Sequence, residues 1–581
     1  MFGGNCSENM KKIVVKLLCF AWIALLFSGC ATYSEQIGKK FVDEKPTTQS
    51  EVLHEIVALG NFAATDESTV QIAKAVKDYL ETSPNKTLLF LGDYGNVQQA
   101  TTWMNLAQKA NISTVFLPGD QDWDNGLDTL YHQKKQIDSL NENSSYLPND
   151  YLPIQEQQIS NEITLIAIDS EWFIQNWDEH TAMNKQSFLK KREDFFDEFD
   201  RLINKNQNKI TVVAMHHPLF SNGENGGYFS AKDHLFPFKK IPLPVAGTLI
   251  NFFRKTSGAN PADTQYSLYQ KLTTRLKTIT KNQSQVVFLS AHENNLQYIE
   301  TEGIKQIVSG AATQKDEARS VQPTSYTVGN FGFASLKVYK NNTVDVALHQ
   351  LIDKELKTTF SKTIIQPEWF NNLYGKVDQT FVKTSIYPEK KVNKSNTYTF
   401  LCGEHYRKIY GTEVEAKVAD FTTLKGGLTP LYSFADNKSH ALVAEDEAGK
   451  QYLFRKLGKS SQQFLQSDIF KDTYVKDQLK NTFLVNFADD YYTTMHPYAP
   501  LVLKHLSKNI ALYHADPQLV YLPKQEALGK YNEAYGDDLF MMEARPNTSQ
   551  SSLESFGNGE RIISTKEMLL YLEGGSGYKV D

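Results

Sequence analysis

Pro118-Gly119-Asp120-Gln121-Asp122-Trp123-Asp124-Asn125-Gly126 follows directly on the short apolar run Thr114–Leu117. A glycine-bounded, carboxylate-rich loop after a buried strand is where open α/β sheets place their ligands. The same arrangement recurs on either side. Glu55–Leu59 runs into Gly60-Asn61-Phe62-Ala63, and Thr87–Leu91 into Gly92-Asp93-Tyr94-Gly95-Asn96. Downstream, Ile210–Ala214 is followed by Met215-His216-His217-Pro218, and Val286–Leu289 by Ser290-Ala291-His292-Glu293-Asn294. Each run delivers polar side chains at the same end of a strand, which is how a metal site is assembled from loops.

Between the runs lie helical patterns, over Ser68–Glu81, Val97–Ala110 and Leu127–Ser139. Brief β-branched runs alternating with such helices predict an α/β domain. Runs apolar throughout predict strands buried on both faces. Tyr298–Ile307 and Phe331–Leu348 alternate instead, so the domain is expected to span 51–350. Residues 351–397 read as a linker, and 398–581 as a second, mixed α+β domain without a catalytic constellation.

The ordered motifs resemble those of the calcineurin-like metallophosphoesterases, G-D-x-G, G-D-x-x-Y, G-N-H-D, V-x-x-H and G-H-x-H, over Val57–Asn294. The resemblance implies a two-sheet α/β/β/α sandwich with two divalent metals that activate a bridging hydroxide. It implies that Asp93 is the bridging carboxylate. It gives the second metal Asp120, His216 and His292 as further ligands. It also exposes departures. Asn61 stands for the first metal's aspartate, Asn294 for its histidine, and Asn96 for the tyrosine of the second motif. Gln121 and Asn225 stand where the family carries acid–base histidines, and neither amide donates a proton near neutral pH. Asp122 is expected to orient its neighbours, and His217 and His234 to be structural.

The N-terminus points to export. Lys11, Lys12 and Lys16 precede the apolar run Leu17–Phe27, then Ser28-Gly29-Cys30. A basic start, a short apolar core and a small-residue cleavage site mark a secretory signal, here over 1–29. A cysteine at the cleavage point resembles a bacterial lipobox, which implies lipidation of Cys30 and a membrane attachment. Residues 30–50 are then a tether. Beyond the signal only Cys30 and Cys402 remain, so the fold relies on its core and not on disulfides. A net charge of -6 gives no nucleic-acid footprint. The periplasmic face of the outer membrane is the expected location, with the cell surface as the alternative, and an outer-membrane barrel or other envelope protein as partner.

Two functions follow. In one, the site is degenerate and the protein is a pseudoenzyme, a binding or scaffold subunit. In the other, a phosphoesterase works with one metal (Zn, Mn or Fe) at Asp93, Asp120, His216 and His292 on phosphomonoesters or phosphodiesters. The cofactor is one divalent metal or none.

Overall fold

A computed structural model describes residues 30–545, omitting 43–49, 63–66, 83–84, 96, 111, 125, 140–141, 150–151, 176–188, 190, 237–241, 282, 367–373, 375–376, 437–438, 480–481 and 510–513; residues 556–558, 562 and 568 are described as well. The signal segment 1–29, Asn96 and Asn125 lie outside the described residues. The chain divides into two compact units, Met1–Leu202 with Lys209–Pro367, and Ile203–Asn208 with Glu368–Asp581.

The first unit is a two-sheet sandwich. In spatial order, the seven-stranded sheet runs Glu355–Ile365, Val344–Ile352, Gly332–Tyr339, Val52–Leu59, Lys86–Phe90, Ser113–Phe116, Ser144–Tyr146. Its last four strands are parallel. In the eight-stranded sheet, Ile163–Ile168, Ile210–Met215, Val286–Ser290 and Ile304–Ser309 are the parallel centre. The inner faces meet in one core: Ile56, Ala58, Leu89 and Val115 from one sheet, Leu165, Ala167, Val212 and Leu289 from the other. Each buried Leu or Val there contributes roughly 1.5–3 kcal/mol. Helices cover the outer faces, as Glu67–Leu80 does with Ile72, Ala73 and Val76. The β-branched runs form these strands because they are buried on both sides, with Ile163–Ile168 and Ile210–Met215 buried at every position.

Two expectations are corrected. The first domain does not end at 350. Glu355–Ile365 pairs antiparallel with Val344–Ile352, so the sheet draws in part of the expected linker. Nor are the first residues of 30–50 a free tether. Ala31 is buried and donates its N–H to Phe229 O at 3.1 Å. Thr32 exchanges two 3.0 Å backbone hydrogen bonds with Ala318, and Gln36–Ile37 pairs with Tyr326–Thr327.

The second unit carries its own seven-stranded sheet, ordered Phe381–Thr384, Val414–Val418, Gln518–Leu522, Asp538–Ala544, Gln451–Lys456, Ser439–Asp446, Leu428–Asp436. Phe421, Leu442, Phe454, Leu522 and Phe540 form its core. Phe381–Thr384 and the helix Glu389–Val392 also fall in the expected linker but belong to this unit.

Candidate metal centre

Three site residues sit in the left-handed region that non-glycine residues rarely adopt: Asn61 (φ 64°), Asp93 (φ 65°) and His292 (φ 65°). Each lies just beyond the end of a parallel strand. The turn reverses the chain abruptly and points the side chain into the gap between the sheets' carboxyl ends. Such backbone costs on the order of 1–3 kcal/mol per residue and gathers at functional sites. Gly119 completes the approach, since a Cβ there would collide with the Asp93 carboxylate.

The four sequence-derived ligands converge. His216 Nε2 lies 2.9 Å from Asp120 Oδ1 and 3.4 Å from Asp93 Oδ2. His292 Nδ1 lies 3.3 Å from His216 Nε2 and 3.4 Å from Asp120 Oδ1. The far nitrogen of each ring is anchored on a backbone carbonyl, His216 Nδ1 on Leu91 O at 2.6 Å and His292 Nε2 on Ala262 O at 2.8 Å. A carbonyl only accepts, so each anchored nitrogen carries a proton and the other nitrogen faces the carboxylates, the usual support of a metal-binding histidine. Asp120 Oδ1 is buried without a well-aligned hydrogen bond despite its close neighbours. Asp93, Asp120 and His216 offer ligand atoms within 4.8 Å of one another, and His292 joins Asp120 in a neighbouring group; carboxylates with imidazole suit a divalent transition ion.

Protons take up part of that charge. Burial opposes a charged ring at His216, yet Asp93 and Asp120 hold it well above the ordinary histidine range. Burial also opposes charge at Asp120, while His292 and His216 hold it well below the carboxylate range. Asp93 is pushed up by burial, with His216 pulling the other way.

Two of the departures from the family pattern bond to each other, and two others bond to charged neighbours. Asn61 Nδ2 donates to Asn294 Oδ1 at 2.8 Å, and Asn294 Nδ2 to Asp316 Oδ2 at 2.8 Å. Gln121 Nε2 donates to Asp93 Oδ2 at 2.8 Å. Asn225 Oδ1 accepts from Arg254 Nη2 at 3.1 Å. Asn96 lies outside the described residues.

His217 is a residue that the sequence reading passed over as structural. It shares with Asp120 and His292 a second group of atoms within 4.8 Å of one another, beside that of Asp93, Asp120 and His216. Its Nδ1 meets Ser170 Oγ at 2.9 Å, and Nε2 is buried without a hydrogen bond. Burial, then His292, holds it well below the usual range. The only sequence signal was the doublet His216-His217.

The cluster floors a cleft of about 450 Å³. Glu224, Asp233, Asp316 and Glu317 also face it, against Lys232 and Arg254. Arg254 is already paired with Asp263 at 2.7 Å and with Glu224, so the cleft is acidic.

A loop-built cluster of Asp and His at the carboxyl ends of a two-sheet sandwich defines a metallophosphoesterase-type domain. Residues 53–246 match the family model of the calcineurin-like phosphoesterases, and the chain carries a domain of that family. Among solved structures it is similar to GAP50, the anchor in the inner membrane complex of Plasmodium (13% identity, TM-score 0.36, covering 54% of this chain and 89% of that one). It is also similar to the purple acid phosphatase PPD1 of yellow lupin, Lupinus luteus, seeds (11%, 0.33, 55% and 55%) and to PhoD (9%, 0.35, 54% and 70%). No curated protein matches the chain.

Proposed function

We propose that this is a lipid-anchored envelope protein whose phosphoesterase-type site binds and no longer hydrolyses, acting as a binding or scaffold subunit at the outer membrane. The observation that carries this reading is the 2.8 Å amide–amide hydrogen bond between Asn61 and Asn294. It joins the two positions where the family resemblance puts first-metal ligands; Asn294 Oδ1 is taken by Asn61, and Asn61 Oδ1 by the His292 N–H at 3.2 Å, so both amide oxygens are occupied. Three further features support it. Gln121 engages Asp93, Asn225 engages Arg254, and neither amide transfers a proton. The acidic cleft also disfavours a phosphate dianion electrostatically.

One divalent metal would be held by Asp93, Asp120 and His216, whose ligand atoms lie within 4.8 Å of one another, with His292 and His217 adjacent. When bound it supplies Lewis acidity and lowers the pKa of a ligated water. Asp93 and Asp120 hold the positive charge there, while Leu91 and Ala262 fix the imidazole tautomers. That convergence favours the second reading, a one-metal phosphoesterase.

The test is metal content by elemental mass spectrometry on the full chain purified in detergent, with turnover of an aryl phosphate and its diester under added manganese or zinc. At most one metal and no turnover is the expected result. Turnover lost in both Asp93→Ala and His216→Ala would overturn the pseudoenzyme reading.

A further inference from the structure

We infer that the face of the first unit carrying Cys30 lies directly on the lipid bilayer, with the helix Pro244–Ser257 as its second contact, so that the acidic cleft opens at the membrane surface. The inference rests on the proposed lipidation of Cys30. If the signal is cleaved there, Cys30 becomes the first residue, and the next one is already part of the fold. Ala31 is 4% exposed, hydrogen-bonded to Phe229 O and bridged to Ser230. No slack separates acyl chains from domain. Whatever surface surrounds Cys30 must then meet the headgroups.

That surface suits them. Arg254 and Lys255, on the last turns of Pro244–Ser257, cover the Phe229 and Tyr228 rings at 5.6 and 4.5 Å. The helix therefore flanks the residues that Ala31 grips. Leu249, Phe252 and Phe253 are 54%, 60% and 64% exposed, with i, i+3, i+4 spacing that puts them on one stripe. Among the described residues of the same helix, the buried ones are Gly247 and Asn251, and neither is an apolar anchor. An exposed Leu/Phe stripe with basic residues beside it is the make-up of a helix lying in the membrane interface. Lys232 and Lys255 are exposed on this face, but the cleft's carboxylates leave it acidic, so the contact rests on apolar burial and not on charge. Tyr33, Ser230, Lys232 and Phe236 line the cleft, which places its mouth on this same face. A ligand would then reach the cleft along the membrane.

The experiment uses the intact acylated chain with Cys402→Ser, in vesicles of phosphatidylethanolamine with minor phosphatidylglycerol. A polarity-sensitive thiol fluorophore is placed at Phe252→Cys, at Leu249→Cys or, as control, at Lys340→Cys. Lys340 hydrogen-bonds Glu51, at the far end of the eight-residue strand Val52–Leu59 from the site, about 25 Å away by strand rise. The expected result is a blue shift and quenching by chain-labelled lipid at 252 and 249, with neither at 340. Acylated, vesicle-bound protein with water-like emission at 252 and 249 would overturn the inference and leave the lipid anchor standing. An unmodified Cys30 by intact mass would remove the anchor and the inference together.

Discussion

The carboxylate of Asp122 accepts the backbone N–H of Asp93 at 2.8 Å. It also accepts those of Tyr94 at 2.9 Å and Gly119 at 2.8 Å. One buried side chain thus fastens the loop after Lys86–Phe90 to the loop after Ser113–Phe116. We predict that Asp122→Ala destabilises the first unit by about 3 kcal/mol or more, because three buried donors lose their acceptor at roughly 1–3 kcal/mol each. Urea unfolding measures this; a change below about 1 kcal/mol, the worth of one ordinary hydrogen bond, would show that the two loops are held otherwise.

On the proposed reading, placing a carboxylate and an imidazole at positions 61 and 294 should create a second metal site. The combined change Asn61→Asp and Asn294→His breaks the amide pair and returns a carboxylate and an imidazole. Metal content per chain is expected to rise by a further equivalent in elemental analysis. An unchanged stoichiometry would locate the obstacle in Gln121 and its hold on Asp93.

His349 should make the protein acid-sensitive. It is buried, with Nε2 on Ser335 Oγ and Nδ1 on Thr358 Oγ1, both at 2.9 Å. Burial, with Lys337 and Lys86 adding repulsion, pushes it down to about 3. Its unfolded value is about 6.5, so folding disfavours the protonated ring. The contribution is fully present above that value and is lost as pH falls toward the folded one. Stability from urea melts should fall between about pH 6.5 and 4 in the native chain, and less steeply in His349→Gln. Equal slopes in the two proteins would rule out this ring as the source.

In the second unit, Arg407 Nε and Nη2 meet the two oxygens of Asp490, each at 2.8 Å, with both side chains buried. Removing one partner of such a pair typically costs about 3–5 kcal/mol. Asp490→Ala should lower the melting temperature of this unit while leaving the metal content of the first unit as it was. Calorimetry alongside elemental analysis checks both halves of that statement.

The strands and their loops were legible because Ile163–Ile168 or Ile210–Ala214 can only be buried on both faces. The converging Asp and His side chains were legible because each follows such a strand. Other features were not. Glu355–Ile365 reads as a linker since Lys357, Thr358, Thr359, Ser361 and Lys362 dilute its apolar pattern, and its place in the sheet comes from backbone pairing. Ala31–Ile37 reads as a tether for the same reason, since backbone hydrogen bonds leave no trace in side-chain pattern. The Asn61–Asn294 contact spans the whole α/β unit, and no local spacing reveals it.

The left-handed backbone at Asn61 has a consequence for how such a centre can change. Asn and Asp are the non-glycine residues that tolerate this conformation best, because their short polar side chains bond locally. A carboxylate at this position therefore has one nearly isosteric substitute that leaves the turn intact, and that substitute is an amide. The steric rule that shapes the turn admits the carboxylate and the amide alike, so the charge of this loop can differ while its backbone stays the same.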